Sequence, residues 1–197
     1  MMEEHQPLLT IQEVKSFRFR QDHKKLRGGD LRSIGKVNTV IQNINNQAEF
    51  NKLFECMFDA ERIVVMRAAD AVEKITIKHP SYLKKHKAAI FKLCNAAMNK
   101  ELKWHLALLL PRLELNKEEL NTSWNILTGW AKDKTNSRIV RVNSIHGLYE
   151  LLKKDEGRKQ EYKLILNQLE KENIPSLSAR IKSIKNKCFY KQKSPVL

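Results

Sequence analysis

The sequence predicts an all-helical protein built from stacked helical hairpins, and three observations support this. Stretches 64–75, 102–113 and 140–151 fall into one frame when the chain is shifted by 38 residues, from Val64 to Leu102 and from Leu102 to Val140. Hydrophobic residues make up 42 % of the 197 residues, which is enough for a buried core. The chain has only 6 Gly and 5 Pro, too few for the turns of a many-stranded sheet.

The repeat frame aligns apolar residues at the spacing of one helix face. Such faces must be buried between neighbouring helices, so we expect these positions to form the core of consecutive hairpins. The three aligned sets are Ala69, Ala107 and Ile145; Val72, Leu110 and Leu148; and Ile75, Leu113 and Leu151.

The order of elements follows from caps and breakers. Ser33 is a good N-cap, and apolar spacing up to Ile44 predicts an N-terminal capping helix. Pro111 should kink or end a helix, whereas Pro175 suits a first helical turn. Four hairpins are predicted, each joining a first helix to a second: 49–58 with 61–78, 82–98 with 100–113, 118–131 with 138–154, and 158–173 with 175–187.

These elements divide the chain into three parts. Residues 33–187 form the predicted repeat domain, and residues 188–197 form a basic tail. Residues 1–32 form a basic appendage in which Gly28 and Gly29 interrupt any helix, and its order is left open.

The second helices resemble the second helix of a HEAT repeat. The stretches that carry the resemblance are 65–75 and 139–148, in which an apolar-Arg pair is followed by a small residue and two aliphatics, and 102–110, a looser copy with Lys for Arg. The resemblance covers roughly residues 48–187 and implies a right-handed α-solenoid of the HEAT or armadillo type, with about four hairpins. It also implies that the second helices line a concave groove. It implies no particular chemistry, because this family serves many tasks.

The face of the second helices opposite the core is the first candidate binding surface. If it lines the groove, its polar residues form ladders across successive repeats; the alternative is an ordinary solvated helix face with pairs four residues apart. We expect Lys103 and Arg141 to tie one repeat to the next instead. The candidate partner-binding residues of the groove are Arg67, Lys74, His105, Arg112 and His146.

The charge balance supplies two further candidate surfaces. Lys and Arg number 37 against 22 acids, for a net charge of +15 and a pI near 9.8, which favours an acidic protein or a nucleic-acid backbone as partner. Lys predominates over Arg, so any nucleic-acid contact should be sequence-independent. One patch consists of Lys84, Lys85, Lys87 and Lys92; the other, at the C-terminal end, consists of Arg180, Lys182, Lys185, Lys187 and Tyr190.

No catalytic, cofactor or metal motif is present, and no small-molecule substrate is evident. The six His residues lack ligand spacing. One enzymatic alternative is a HEAT-like DNA glycosylase, which would hold an alkylated base against Trp with Asp and Arg nearby. The residues that could supply this set are Trp104, Trp130, Asp70, Asp133 and Arg141, although Trp104 aligns with apolar packing residues and Trp124 has core spacing.

The setting inferred from the sequence is cytoplasmic. Cys56, Cys94 and Cys188 are widely spaced, which is typical of free thiols in a reducing compartment. The first residues lack the pattern of a signal peptide, and the longest apolar run, 106–110, is too short to span a membrane. The preferred reading is therefore a non-catalytic scaffold or adaptor that binds an acidic partner through its groove or basic end; the alternative is a sequence-independent nucleic-acid-binding solenoid.

Overall fold

The structure is a computed structural model that describes Leu26, Arg27 and residues 35–190. The expected cap Ser33, residues 191–197 of the basic tail, and nearly all of the basic appendage lie outside the described residues. All regular structure within the described part of the chain is helical. Its α-helices are α1 (Gly35–Asn43), α2 (Gln47–Glu55), α3 (Arg62–Lys78), α4 (Lys87–Ala96), α5 (Lys100–Leu109), α6 (Lys117–Lys132), α7 (Arg138–Leu152), α8 (Lys159–Glu170) and α9 (Pro175–Lys185).

The chain divides into two compact units, residues 1–75 and 76–197. In the first unit, Asn46 caps α2 by accepting a hydrogen bond from the backbone N of Glu49, whose carboxylate in turn accepts from the backbone N of Asn45. The guanidinium of Arg67 donates to the backbone oxygen of Leu26 at 2.9 Å, and Leu26 is itself buried. This part of the predicted appendage therefore contacts the core of the first unit.

In the second unit, α6 begins with a capping box. The side chain of Asn116 accepts from the backbone N of Glu119, and the Glu119 carboxylate accepts from the backbone N of Asn116. As predicted, α5 ends at Leu109 and continues as a 3₁₀ turn through Pro111, and Pro175 lies in the first turn of α9.

The predicted helix at 82–98 begins later than expected. Residues Pro80–His86 form a 3₁₀ helix, and α4 starts only at Lys87. The 3₁₀ helix has Pro80 in its first turn and no side-chain cap. A 3₁₀ helix has three residues per turn, so the helical segment before Lys87 does not continue the apolar face that a period of 3.6 residues predicts.

Consecutive second helices contact one another in the second unit. α7 packs against α5 and α9, and it also packs against α6, its partner in the hairpin. At Gly147 the approach is so close that a Cβ atom would lie 2.5 Å from the backbone oxygen of Ala107. All nine residues that align in the repeat frame are buried. The predicted all-α solenoid is therefore confirmed.

Part-buried side-chain bonds of Lys103 and Arg141 connect one hairpin to the next. The Arg141 side chain donates to the backbone oxygen of Ala131 at 2.8 Å and to both carboxylate oxygens of Glu172 at 2.8 and 2.9 Å. Lys103 donates to the side chain of Asn136 at 3.1 Å. Lys103 and Arg141 therefore link consecutive hairpins, as the sequence predicts, and these links help to fix the packing of the second helices.

Candidate functional site

A solvent-open pocket of about 340 Å³ lies on the surface formed by second helices of the second unit. We call it the second-helix pocket. Three consecutive second helices contribute to it: the end of α3, the end of α5 with its 3₁₀ turn, and α7. Its lining residues are Thr76, Ile77, Pro80, Leu108, Pro111, Arg112, His146 and Glu150. The pocket thus brings together Arg112 and His146, two of the groove residues predicted from sequence.

The repeat frame explains why these residues meet. Leu108 and His146 occupy one position of the frame, and Arg112 and Glu150 occupy another, four residues later. Residues four apart lie one above the other on the same helix face, so two neighbouring second helices present a square of four side chains. The ladder geometry inferred from the sequence is therefore present at these positions.

The Arg112 guanidinium is oriented by a hydrogen bond that its Nη1 donates to the Thr76 hydroxyl at 2.8 Å. Arg112 is half-buried, while Thr76 is buried. The bond to Thr76 restricts the rotamers of Arg112, so less side-chain entropy is lost on binding, and a planar guanidinium suits carboxylate or phosphate oxygens.

His146 lies half-buried in a mainly cationic environment. Burial lowers the pKa of the imidazole, and the positive charge of Arg180 lowers it further. Lys153 and Lys187 act in the same direction, whereas Glu150 raises the pKa. His146 is therefore held mostly neutral near pH 7, and an anion placed beside it would favour its protonation.

The acid of the pocket, Glu150, is already compensated. Lys153 donates to both of its carboxylate oxygens, at 2.7 and 2.8 Å. Lys154, just after α7, donates to the backbone oxygen of Leu113 at 2.8 Å. Burial lowers the pKa of Lys154 against the opposing effect of Glu114 and Glu150. The surroundings of the pocket therefore carry a net positive charge.

Two groove candidates are not on an exposed face. Arg67 and His105 are only 2 % and 5 % exposed, so the expectation that they lie on an open groove face was wrong. Asn143 occupies the same position of the repeat frame as Arg67 and His105, and it shows the physical reason in the second unit. Its side chain donates at 3.4 Å to the backbone oxygen of Trp104 on the preceding second helix. This row of the frame faces a neighbouring segment, not solvent.

Lys74, the remaining groove candidate, lies in the first unit. Its ammonium bonds to the Asp70 carboxylate at 2.7 Å, and both side chains are partly exposed. This is the pair four residues apart that the alternative reading of the helix face predicts. A partner-binding role for Lys74 stays a prediction.

The lysine patch at the start of the second hairpin is partly paired with acids. Lys87 bonds to the Glu119 carboxylate at 2.7 Å, and this bond lowers the pKa of Glu119. Lys84 lies 3.7 Å from the Glu114 carboxylate, and both side chains are well exposed. Lys85 and Lys92 are exposed to solvent. Part of the positive charge of this patch is therefore balanced locally.

The C-terminal basic residues lie on α9 and on the π-helix Asn186–Tyr190 that follows it. Lys182 and Lys187 are exposed, and Arg180 is half-buried close to His146. Lys185 bonds to the Glu170 carboxylate at 2.6 Å. Tyr190 is the last residue of the π-helix. Arg180 thus extends the charge of the second-helix pocket toward the fourth hairpin.

The apolar lining residues were not selected from the sequence. Ile77 is 63 % exposed although it is a large aliphatic residue, and Leu108 is half-buried. The signal that could have found Leu108 is its place in the frame, because it aligns with the polar residues Asp70 and His146 and so lies off the core face. Apolar surface residues mark a binding site when they are contiguous, and Leu108 and Ile77 line the same pocket.

Three residues of the glycosylase alternative make structural contacts. Asp133 accepts bonds from the backbone N and hydroxyl of Thr135, and these bonds lower its pKa. Arg141 is engaged with Glu172, and the ring of Trp130 lies 5.9 Å from the Lys103 ammonium. Each of these contacts has a clear role in holding the loop and the hairpins together.

The three cysteines are free thiols. Burial raises the pKa of Cys56 to about 12 and that of Cys94 to about 12, so both thiols are unreactive at neutral pH. Cys188 is half-buried and lies beside Lys159 and Lys153 in a smaller pocket. No helix in the described part of the chain has the length and apolar character needed to cross a membrane.

The fold and the arrangement of second helices define this chain as an α-solenoid. A family model described as HEAT repeat domain matches residues 24–188, and the chain belongs to this family. Among solved structures it is similar to computationally designed armadillo repeat proteins for modular peptide recognition, with a TM-score of 0.54, 14 % identity, and coverage of 89 % of this chain and 75 % of that chain. This likeness shows the fold alone. The search of curated proteins found no significant match.

Proposed function

We propose that this chain is a non-catalytic HEAT-repeat scaffold that binds an acidic partner protein through the second-helix pocket. The observation that carries this proposal is the meeting of Ile77, Arg112 and His146 in one solvent-open pocket built by three consecutive second helices. Such a surface offers both apolar contact and charge, the combination used at protein-binding sites.

The structural likeness supports a peptide-like partner in particular. The designed armadillo repeat proteins are described as serving modular peptide recognition, and their fold is similar to that of this chain. A segment bound across successive repeats would contact one group of side chains in each hairpin. The cysteines fit a reducing compartment, and we place the scaffold in the cytoplasm.

Site-specific photo-crosslinking tests this proposal. A photoreactive amino acid at position 77 should capture an acidic protein in cells, because Ile77 lines the pocket and is 63 % exposed. The matched control is position 164 on α8, since Leu164 is 61 % exposed but does not line the pocket. Equal capture of the same protein from both positions, or capture from position 164 alone, would reject the second-helix pocket as the binding surface.

A second candidate function is sequence-independent binding of a nucleic-acid backbone. It is favoured by the exposed lysines Lys182 and Lys187 beside Arg180 at the C-terminal end. Titration of duplex and single-stranded DNA and RNA at rising salt tests it, because each neutralised phosphate adds to the salt dependence of the affinity. Binding that persists when residues 180–197 are removed would exclude this segment as the site.

A further inference from the structure

We propose that the second-helix pocket selects a short extended peptide in which an aliphatic residue lies next to an aspartate or glutamate. This inference rests on the proposed function and specifies the chemistry of the partner. The aliphatic side chain would contact the apolar part of the pocket, and the carboxylate would bind Arg112.

The apolar part of the pocket comes from Ile77, Pro80, Leu108 and Pro111. These residues come from the end of α3, the 3₁₀ helix after it, and the end of α5. Ile77 leaves most of its side chain in water, so covering it with an apolar side chain of a partner would be favourable. A pocket of about 340 Å³ is at the small end of ligand sites, so it suits one or two side chains of a longer segment.

The cationic part of the pocket is oriented for a carboxylate. The bond from Arg112 to the Thr76 hydroxyl, 2.8 Å long, holds the guanidinium at the pocket wall beside the apolar surface. An arginine fork can bind both oxygens of a carboxylate, and such bonds are stronger than bonds between neutral groups. A second acid in the same peptide would be favoured by the positive charge of Arg180, which acts on His146.

The charges around the pocket favour an acid over a base at this place. Glu150 is the acid of the lining, and Lys153 neutralises it at 2.7 Å. Beyond this pair, Arg180 and Lys187 act on His146 as positive charges, so the field there is positive. A lysine or arginine of a partner would be repelled, and the positive field excludes basic segments as well as attracting acidic ones.

Selection from a phage-displayed library of random peptides on the full chain tests the inference. The expected result is a set of peptides with an aliphatic residue beside Asp or Glu. In fluorescence anisotropy, changing that acid to its amide should weaken a selected peptide about 10- to 100-fold, the effect of losing a charge-assisted hydrogen bond. Ile77→Ser should weaken the same peptide through its aliphatic residue.

Peptide selection on a charge-reversed variant of the protein is the more discriminating test. Arg112→Glu should abolish selection of acidic peptides and enrich basic ones, whereas the control Lys163→Glu, an equal change at an exposed site on α8, should select the same peptides as the unaltered chain. Arg112→Gln, which keeps hydrogen bonding without charge, should give intermediate affinity. Circular dichroism melting curves establish that each variant is folded.

The outcomes separate this inference from the proposed function. Pocket-dependent peptides without an acidic preference would overturn the acid–aliphatic chemistry and leave the scaffold proposal standing. Selection of no peptide would overturn the inference, and so would selection unaffected by both Ile77→Ser and Arg112→Glu. Binding of single-stranded DNA that is lost in Arg112→Glu, in the absence of selected peptides, would assign the pocket to a phosphate backbone.

Discussion

The close approach of α5 and α7 leads to a prediction about Gly147. In an exposed helix interior, Gly→Ala is normally stabilising by up to about 1 kcal/mol. Here the added Cβ would lie 2.5 Å from the Ala107 backbone oxygen and 2.8 Å from Leu127 Cδ1, well inside the 3.4 Å at which ordinary contact begins. The first of these atoms is backbone, so the helices themselves must separate.

The magnitude follows from these two opposing effects. Overpacking costs about 1–3 kcal/mol, and the upper end applies because a carbonyl oxygen cannot rotate away. After the gain in helix propensity is subtracted, Gly147→Ala should lower the free energy of unfolding by about 2 kcal/mol. For a chain of this size, that lowers the melting temperature by about 4–8 °C.

Denaturation followed by circular dichroism measures this effect, with Gly129→Ala as the matched control. Gly129 lies within α6, and a Cβ there would meet nothing within 4 Å, so its replacement should stabilise the protein by about 0.5–1 kcal/mol. If Gly147→Ala is as stable as Gly129→Ala, the second helices do not approach as described, and the reasoning about their stacking is refuted.

Three further predictions concern single side chains. Arg141→Met should cost about 3 kcal/mol in urea unfolding because Glu172 loses its buried partner, and adding Glu172→Gln should recover part of this loss. Tyr162→Phe should cost about 1 kcal/mol by removing the bond to the Ile145 backbone oxygen; an unchanged melting curve would contradict this. The pKa of His146 in the folded protein is below 6.5, so the unfolded chain binds a proton at this imidazole more readily. The free energy of unfolding should therefore fall as the pH decreases through 6.5, and His146→Gln should reduce that fall.

The repeat architecture was accessible from the sequence because two independent periods agree. The spacing within each helix marks one buried face, and the shift of 38 residues places equivalent faces in register, as at Val72, Leu110 and Leu148. Both Pro111 and Pro175 acted as their backbone chemistry predicts. By contrast, the 3₁₀ helix Pro80–His86 was missed, because local sequence does not distinguish a tight turn from the start of an α-helix.

The candidate site was only partly accessible from the sequence. Arg112 and His146 were placed correctly on the surface of second helices, but Arg67 and His105 belong to a row that neighbouring segments bury. The helix wheel separates the core face from the remaining faces, but it does not show which remaining face the next hairpin covers. Ile77 and Leu108 were missed for the related reason that an apolar residue is ordinarily assigned to the core.

Hydrogen–deuterium exchange of the full chain, with and without a selected acid–aliphatic peptide, tests most directly whether successive second helices form the binding surface. Protection should increase together in residues 76–80, 108–112 and 146–150, which come from three different hairpins and line one pocket. Exchange in α8, residues 159–170, should not change. Protection confined to one of the three segments, or found in α8 instead, would contradict the account.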